Sequence, residues 1–271
     1  MPELPEIEVT RRTVHQRLLG LRVAEVQLKR SGKTSMHGAE LLPSLVARRL
    51  VDTGRRGKML VLYFESDLAL LVHLMLIGRV ALYQGGPDSF EPRLRLRFEG
   101  EQNLEVRFVA ARSLALVPSG LVDAYPSVAR QGSDALAITL DGFIGALRRS
   151  RGAIKGVFMD QSLLAGVGNA YADEILYDAG VHPLAPVASL SEGEEQKLHA
   201  AIAPVLRRAI DLGAAEEYVR FLGPAEGLTR KADLMRVHGR EAQPCPACGA
   251  SIEKVELGGR GTYYCPRCQP R

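Results

Sequence analysis

The sequence has no tryptophan, and its four cysteines are confined to the segment from Cys245 to Cys268. A disulfide framework spreads its cysteines along the chain it staples, so this confinement excludes a small secreted scaffold and points to one local cysteine site. Long apolar runs are also missing. The longest, Leu68 to Ile77, is interrupted by His73 and falls well short of the roughly 20 residues a membrane-spanning helix needs. The chain opens Met1-Pro2-Glu3-Leu4-Pro5-Glu6, without a basic stretch followed by an apolar one, so no signal peptide is expected and the cytoplasm is the default compartment. Nor does one charge sign dominate. Lys plus Arg total 35 against 31 acidic residues, giving a net charge of +4 and a pI near 8.9. That balance permits nucleic-acid binding where charge clusters, but does not impose it.

The chain does hold ample apolar material: 46% of its 271 residues are hydrophobic, enough for two domains with a sizeable core. Glu3 to Leu19 places Leu4, Ile7, Val14, Leu18 and Leu19 at helical spacing, closed by Gly20. The period then drops to two. Lys58–Phe64, Leu68–Leu74, Arg79–Tyr83, Arg93–Phe98 and Leu104–Val109 read as strands separated by turn residues. In Arg93–Phe98 the arginines line one face and apolar residues the other, the pattern of a sheet with one solvated side. After Pro118 the spacing becomes helical again, over Asp134–Arg149, Asn169–Ala179 and Ser191–Leu212. Ser191 and Glu194 form a capping box, and Pro204 predicts a kink or an early break. The fold class is therefore α+β, with a β-rich N-terminal domain, a helical middle and a cysteine-rich tail.

In that tail Cys245-Pro246-Ala247-Cys248 and Cys265-Pro266-Arg267-Cys268 are sixteen residues apart. Two such tight turns present four thiolates tetrahedrally to one Zn²⁺. Ile252–Leu257 and Thr262–Tyr264 are expected to form a hairpin around Gly258-Gly259-Arg260-Gly261. A redox reading would need a single CxxC beside a βαβ unit, which is absent. Four cysteines leave a zinc ion no open position, so the metal is structural rather than catalytic. Zinc ribbons bind DNA, RNA or protein, and the tail alone does not choose among them.

The N-terminus by itself has a plain reading, since Pro and acidic residues both suit the first turn of a helix. Other segments change that: Met1-Pro2-Glu3-Leu4-Pro5-Glu6-Ile7-Glu8, Arg55-Arg56-Gly57-Lys58, His73-Leu74 before Gly78, the stretch 153–176, His238-Gly239-Arg240-Glu241, and the finger residues 245–269. In this order and spacing the sequence resembles the formamidopyrimidine-DNA glycosylase and endonuclease VIII family nearly end to end. The resemblance implies an N-terminal β-sandwich with an N-terminal helix over residues 1–120, a linker at 121–134, a helix–two-turn–helix DNA-binding domain at 135–236, and a zinc finger with a β-hairpin at 237–271. It also implies a monomeric, bacterial, cytoplasmic enzyme acting at the nucleoid on damaged DNA, either duplex or locally unpaired, with one structural Zn²⁺ and no membrane partner.

The implied activity is that of a bifunctional DNA glycosylase and AP lyase. With Met1 removed, Pro2 would be a free secondary amine, and an α-amino group titrates near about 7.7–8.0. A usable neutral fraction would then attack the sugar C1′, expel the base and lead to strand cleavage by β/δ-elimination. By resemblance Glu3 is the proton donor and shuttle, Glu6 a supporting carboxylate, Lys58 a phosphate contact that assists elimination, and Arg260 a finger arginine reaching phosphate. Gly166-Val167-Gly168-Asn169 is a tight turn running into a helix, which suits phosphate binding with Asn169 as donor. His73 and Lys155 join the expected DNA contacts, although a histidine in an apolar strand is equally a core residue. Cys245, Cys248, Cys265 and Cys268 are the zinc ligands.

The sequence departs from the family where a Met, an Arg and a Phe fill the gap left by an extruded base. The matching positions are Leu76, Ala111 and Ser113, with Arg112 able to supply the arginine by a register shift. Extrusion costs a few kcal/mol that a plug partly offsets, so the expected substrates are lesions where unstacking is cheap. The segment Gly213–Glu217 lacks the hydroxyls that the family commonly has there, and the loop from about Phe221 to Arg236 does not resemble the 8-oxoguanine type. An alternative is a non-catalytic damage-binding protein on the same scaffold.

Overall fold

The computed structural model describes residues 1–29, 35–75, 79–83, 94–100, 105–109, 113–215, 219–221 and 228–271. The chain divides into two compact units, Met1–Ala129 with Leu212–Arg230, and Arg130–Asp211 with Lys231–Arg271. Residues 212–230, read in the sequence as part of the helical region, belong to the first.

The first unit opens with helix α1 (Leu4–Leu18), followed by β1 (Val23–Leu28), β2 (Ser35–His37), β3 (Leu50–Arg56), β4 (Met59–Phe64), β5 (Leu68–His73), β6 (Arg79–Tyr83), β7 (Leu94–Phe98), β8 (Glu105–Val109) and β9 (Ser113–Pro118). The short helix α2 (Pro126–Ala129) closes this stretch, and a late strand, β12 (Val219–Phe221), returns to it. Among the described residues one sheet has the order β1-β7-β8-β6-β12, and the other has the order β2-β9-β5-β4-β3. β12 pairs parallel with β6, which ties Val219–Phe221 to this unit.

Burial explains why the two sheets read differently in sequence. β4, β5 and β9 are apolar nearly throughout because they are covered on both faces. Leu60, Leu62, Leu70, Val72, Leu114 and Leu116 enter the main core with Ile7, Val14 and Leu18 of α1. Met59, Val61, Leu71, Ala115 and Val117 form a second core with Val122 and Val128 on the other face. β7 has only one covered face: Leu94, Leu96 and Phe98 are buried, while Arg97 pairs with Glu25 at 3.0 Å on the outside.

The second unit contains β10 (Ser133–Asp134), α3 (Leu140–Arg148), α4 (Ile154–Met159), β11 (Leu164–Ala165), α5 (Asn169–Ala179), α6 (Glu192–Asp211), α7 (Lys231–Leu234) and the hairpin β13 (Glu253–Leu257) and β14 (Arg260–Tyr264). α5 falls where the sequence placed it. α3 is shorter than the expected Asp134–Arg149: Asp134 sits in β10, and the helix starts after Thr139, whose hydroxyl accepts from the Gly142 N–H at 3.1 Å. Ser191 and Glu194 cap α6 reciprocally. Pro204 does not break α6, which continues to Asp211. The proline removes one backbone bond, but Leu198, Ala201, Ile202, Leu206, Ala209 and Ile210 are buried on both sides of it, and that packing sustains the helix through the lost bond.

Candidate active site and nucleic-acid interface

In the first unit α1 starts at Glu3, whose backbone N–H donates to Glu6 Oε2 at 2.6 Å. Glu6 is fully buried and Glu3 is 3% exposed; Pro2 is buried beside them. Glu6 therefore fixes the backbone of the residue next to Pro2, a positioning contact. Three contacts set the direction of α1 along β3. His15 Nδ1 lies 3.7 Å from Asp52, Arg11 Nη1 donates to Thr53 Oγ1 at 3.2 Å, and Arg55 lies 3.5 Å from Glu8. As residue numbers fall along the helix they rise along the strand, so Pro2 and Glu3 lie towards the end of β3 where it turns into β4.

Lys58 occupies that turn. The sequence placed it at the start of a strand; the structure makes Gly57-Lys58 a two-residue hairpin loop closed by Arg56↔Met59. Gly57 has φ +53°, the conformation that a loop of this length demands at its first position. Met59 in turn pairs with His73, and His73 with Ser113. One end of the sheet thus gathers Lys58, His73 and Ser113. Leu76, Ala111 and Arg112 lie outside the described residues.

The Met75 N–H donates to His73 Nδ1 at 3.1 Å, so the neutral ring carries its proton on Nε2. Burial pushes its pKa below the ordinary value, and the Lys58 charge adds to this. The folded chain then binds fewer protons than the unfolded one. The neutral ring's contribution to stability is complete above the unfolded value near 6.5 and is lost as pH falls through the depressed folded value. Replacing His73 by Gln should flatten the fall in melting temperature below that pH. An unaltered profile in thermal melts across that window would contradict this.

In the second unit the start of α5 and the finger hairpin meet. The side chain of Gln161 clamps the preceding turn, donating to the Val167 carbonyl at 2.7 Å and accepting from the Gly166 N–H at 3.0 Å. Asn169 Nδ2 donates to the Gly261 carbonyl at 3.1 Å. Gly258 and Gly259, both at positive φ, form the whole turn between β13 and β14. Arg260, read in the sequence as part of the turn, is instead the first residue of β14 and pairs with Leu257. It is exposed, with Nη1 3.4 Å from the Met159 sulfur.

Lys155 requires a correction. The sequence placed it among direct DNA contacts, but its side chain is fully buried, with Nζ 2.7 Å from Asp173 Oδ1. It donates to Thr262 Oγ1 at 2.8 Å and to the Gly261 carbonyl at 3.3 Å. An ammonium enclosed in this way supports the hairpin from beneath and presents no charge to a ligand. His238 Nδ1 contacts the other oxygen of Asp173 at 2.7 Å. Removing one partner of such a pair strands the other's charge, so Lys155→Met should cost roughly 3–5 kcal/mol. A denaturant midpoint matching that of the unaltered chain would refute this.

Sequence reasoning missed Asp173, Glu174, Tyr177 and His238. Glu174 accepts from the backbone N–H groups of Arg236, Val237 and His238, tying the approach to the finger onto α5. An available signal was the adjacent acidic pair set between Ala172 and Ile175 within α5.

The four Sγ atoms lie within 4.8 Å of one another. Cys245 and Cys268 are 3.8 Å apart, and Cys248 and Cys265 are 3.4 Å apart. Thiolates around zinc at about 2.3 Å define a tetrahedron with edges of about 3.8 Å, so the cluster fits the ion. Burial alone would raise the Cys245 thiol, but hydrogen bonds from Tyr177 and from the Ala247 and Cys248 backbone outweigh it and bring it down to about 6.

Comparison with known proteins bears on the whole chain. Residues 1–117 match the formamidopyrimidine-DNA glycosylase N-terminal domain, residues 132–219 the formamidopyrimidine-DNA glycosylase H2TH domain, and residues 242–271 a zinc finger found in FPG and IleRS. The chain is 36% identical to the formamidopyrimidine-DNA glycosylase of Methylococcus capsulatus, covering 99% of this chain and 100% of that protein. It is 35% identical to that of Gloeobacter violaceus, covering 99% and 98%. Among solved structures it resembles Lactococcus lactis Fpg (MutM) in complex with DNA containing N7-benzyl-Fapy-dG, with a TM-score of 0.88, 28% identity and full coverage of both chains. It also resembles MutM (Fpg) from Thermus thermophilus, with a TM-score of 0.83, 33% identity and coverage of 99% and 98%.

Proposed function

The chain belongs to the formamidopyrimidine-DNA glycosylase family, and from that premise we propose which of its residues carry the reaction. It is a base-excision-repair DNA glycosylase with AP lyase activity, acting on damaged DNA and holding one structural Zn²⁺ in its C-terminal finger. Among the described residues no helix is long and apolar enough to cross a membrane. With bacterial relatives, the reading that follows is a cytoplasmic enzyme working at the nucleoid.

The observation that carries the assignment is the convergence of the start of α1, Lys58 and His73 on one end of a single sheet. Once Met1 is removed, the Pro2 nitrogen attacks C1′ of the damaged nucleotide. The C1′–N bond to the base breaks, and the base leaves with a proton. The proton lost by the Pro2 nitrogen accounts for the one taken by the base, and Glu3 gives a further proton to O4′ as the sugar opens, leaving a C1′ iminium. Its positive charge acidifies C2′, where loss of a proton expels the 3′ phosphate, and a second elimination releases the 5′ side. Glu3, one residue from the amine, is the proton shuttle, and Glu6 fixes its backbone. Lys58 and the Nε2–H of His73 meet phosphate, as do Asn169 at the start of α5 and exposed Arg260 in the finger. Lys155 acts through the hairpin it supports.

Borohydride added to a mixture with damaged duplex should trap a covalent protein–DNA adduct. No adduct across a panel of defined lesions, from chain shown to lack Met1, would defeat the assignment. Glu3→Gln keeps the shape but not the carboxyl that gives up and takes back a proton, so base release should slow by roughly 10²–10⁴-fold. Single-turnover kinetics at saturating duplex isolate that step, and a rate like the unaltered enzyme's would free Glu3 from the role.

A further inference from the structure

We propose that Tyr177 protects the finger's zinc site from outside the ligand set, its phenol donating a hydrogen bond to the Cys245 thiolate and slowing metal loss. The inference rests on the structural-zinc reading. Tyr177 lies near the end of α5, 8% exposed, within a small core formed with Val237, Cys245, Ile252 and Cys265. Its hydroxyl lies 3.3 Å from Cys245 Sγ. A sulfur that binds zinc has no proton to give, so in that contact the phenol must be the donor.

The surroundings fix the ring in this pose. The Arg236 guanidinium stacks 5.0 Å from the ring centroid and is held by Asp178 at 2.8 Å. A cation over the face of a phenol draws electron density from it and strengthens its O–H as a donor. Packing alone would be served by phenylalanine, which fills the same space. What the hydroxyl adds is directed at sulfur.

A donor aimed at a metal-bound thiolate spreads the sulfur's charge, which makes it less open to protons, oxidants and alkylating reagents that would displace the metal. Partners of this kind change metal affinity by about 10–100-fold when removed. The same helix that meets the hairpin through Asn169 thus grips the first knuckle through Tyr177.

The test uses the full zinc-loaded chain, Tyr177→Phe and Tyr264→Phe. Tyr264 donates to Glu253 at 2.6 Å within the same finger and so controls for loss of any finger hydroxyl. Zinc content is measured first: a wild-type chain without zinc would sink the finger reading itself. With zinc present, transfer to a chromophoric chelator and alkylation of the thiols should both be at least about tenfold faster in Tyr177→Phe, with Tyr264→Phe at the wild-type rate. Equal rates for Tyr177→Phe and wild type, or equal acceleration in both variants, overturn the proposal. Should Tyr177→Phe not fold, 3-fluorotyrosine placed at position 177 provides a stronger donor of similar shape. Slower release then supports the proposal, and unchanged or faster release overturns it.

Discussion

Chain that retains Met1 is expected to give no borohydride-stable adduct with damaged DNA, and the adduct formed by processed chain should have the mass of a polypeptide beginning at Pro2. The reason is covalent. While Met1 is attached, the Pro2 nitrogen is a tertiary amide, planar and without a usable lone pair. Removing Met1 turns the same atom into a secondary amine whose neutral form is populated near neutral pH. No other residue can supply that atom, so the loss should resemble removal of a covalent nucleophile, on the order of a thousandfold or more. Preparing both forms and comparing trapping and base release on one lesion would decide it. An adduct of undiminished yield from the Met1-bearing chain, or a crosslink mapping to Lys58, would move the chemistry elsewhere. DNA affinity should change far less, because phosphate contacts do not depend on the amine.

How much of this was legible beforehand follows from burial. β7 could be read because one face is wet and the other dry, so Leu94, Leu96 and Phe98 alternate with arginines. β4 and β5 could be read because both faces are covered and the apolar run is nearly continuous. β1 and β3 were missed. Each is an edge strand of its sheet. In Leu50–Arg56 polar residues and a glycine outnumber the apolar ones, so neither pattern stands out, whereas Ala24-Glu25-Val26-Gln27-Leu28 does alternate and its period of two was overlooked. α4 spans only Ile154–Met159, less than two turns, and cannot display a helical period.

The site shows the same division. The four cysteines were visible because their chemistry depends on residue type and local spacing, and the same two features are what suggest Pro2 and Glu3. The fate of Lys155 was not, because a lysine beside Arg148, Arg149 and Arg151 reads as one more basic side chain. What buries it is Thr262, 107 residues away, together with Asp173. No local pattern encodes a contact of that range. The capping-box role of Glu6 was equally hidden behind its resemblance to a general supporting carboxylate.

Withdrawal of zinc should unfold the finger and leave the first unit intact. The finger's own apolar core is only Tyr177, Val237, Cys245, Ile252 and Cys265 with a few partly buried neighbours, and two of those are metal ligands. A lone two-stranded hairpin such as β13–β14 is marginal in water. The metal must therefore supply most of the order, and structural zinc sites contribute roughly 10–16 kcal/mol of apparent binding energy near neutral pH. The first unit draws on a separate core that runs from Ile7 to Leu116 and contains no cysteine. Zinc-free chain, or Cys248→Ser, is expected to lose hydrogen-exchange protection across 253–264 while β4 and β5 keep theirs. Arg260 and Gly261 leave their places with the hairpin, so DNA affinity and adduct formation should fall together, and both should return when zinc is restored to the unaltered chain. Protection of the hairpin that survives complete removal of the metal would show that Asn169, Lys155 and Glu174 hold the finger unaided, and the ion would then have to be assigned another purpose.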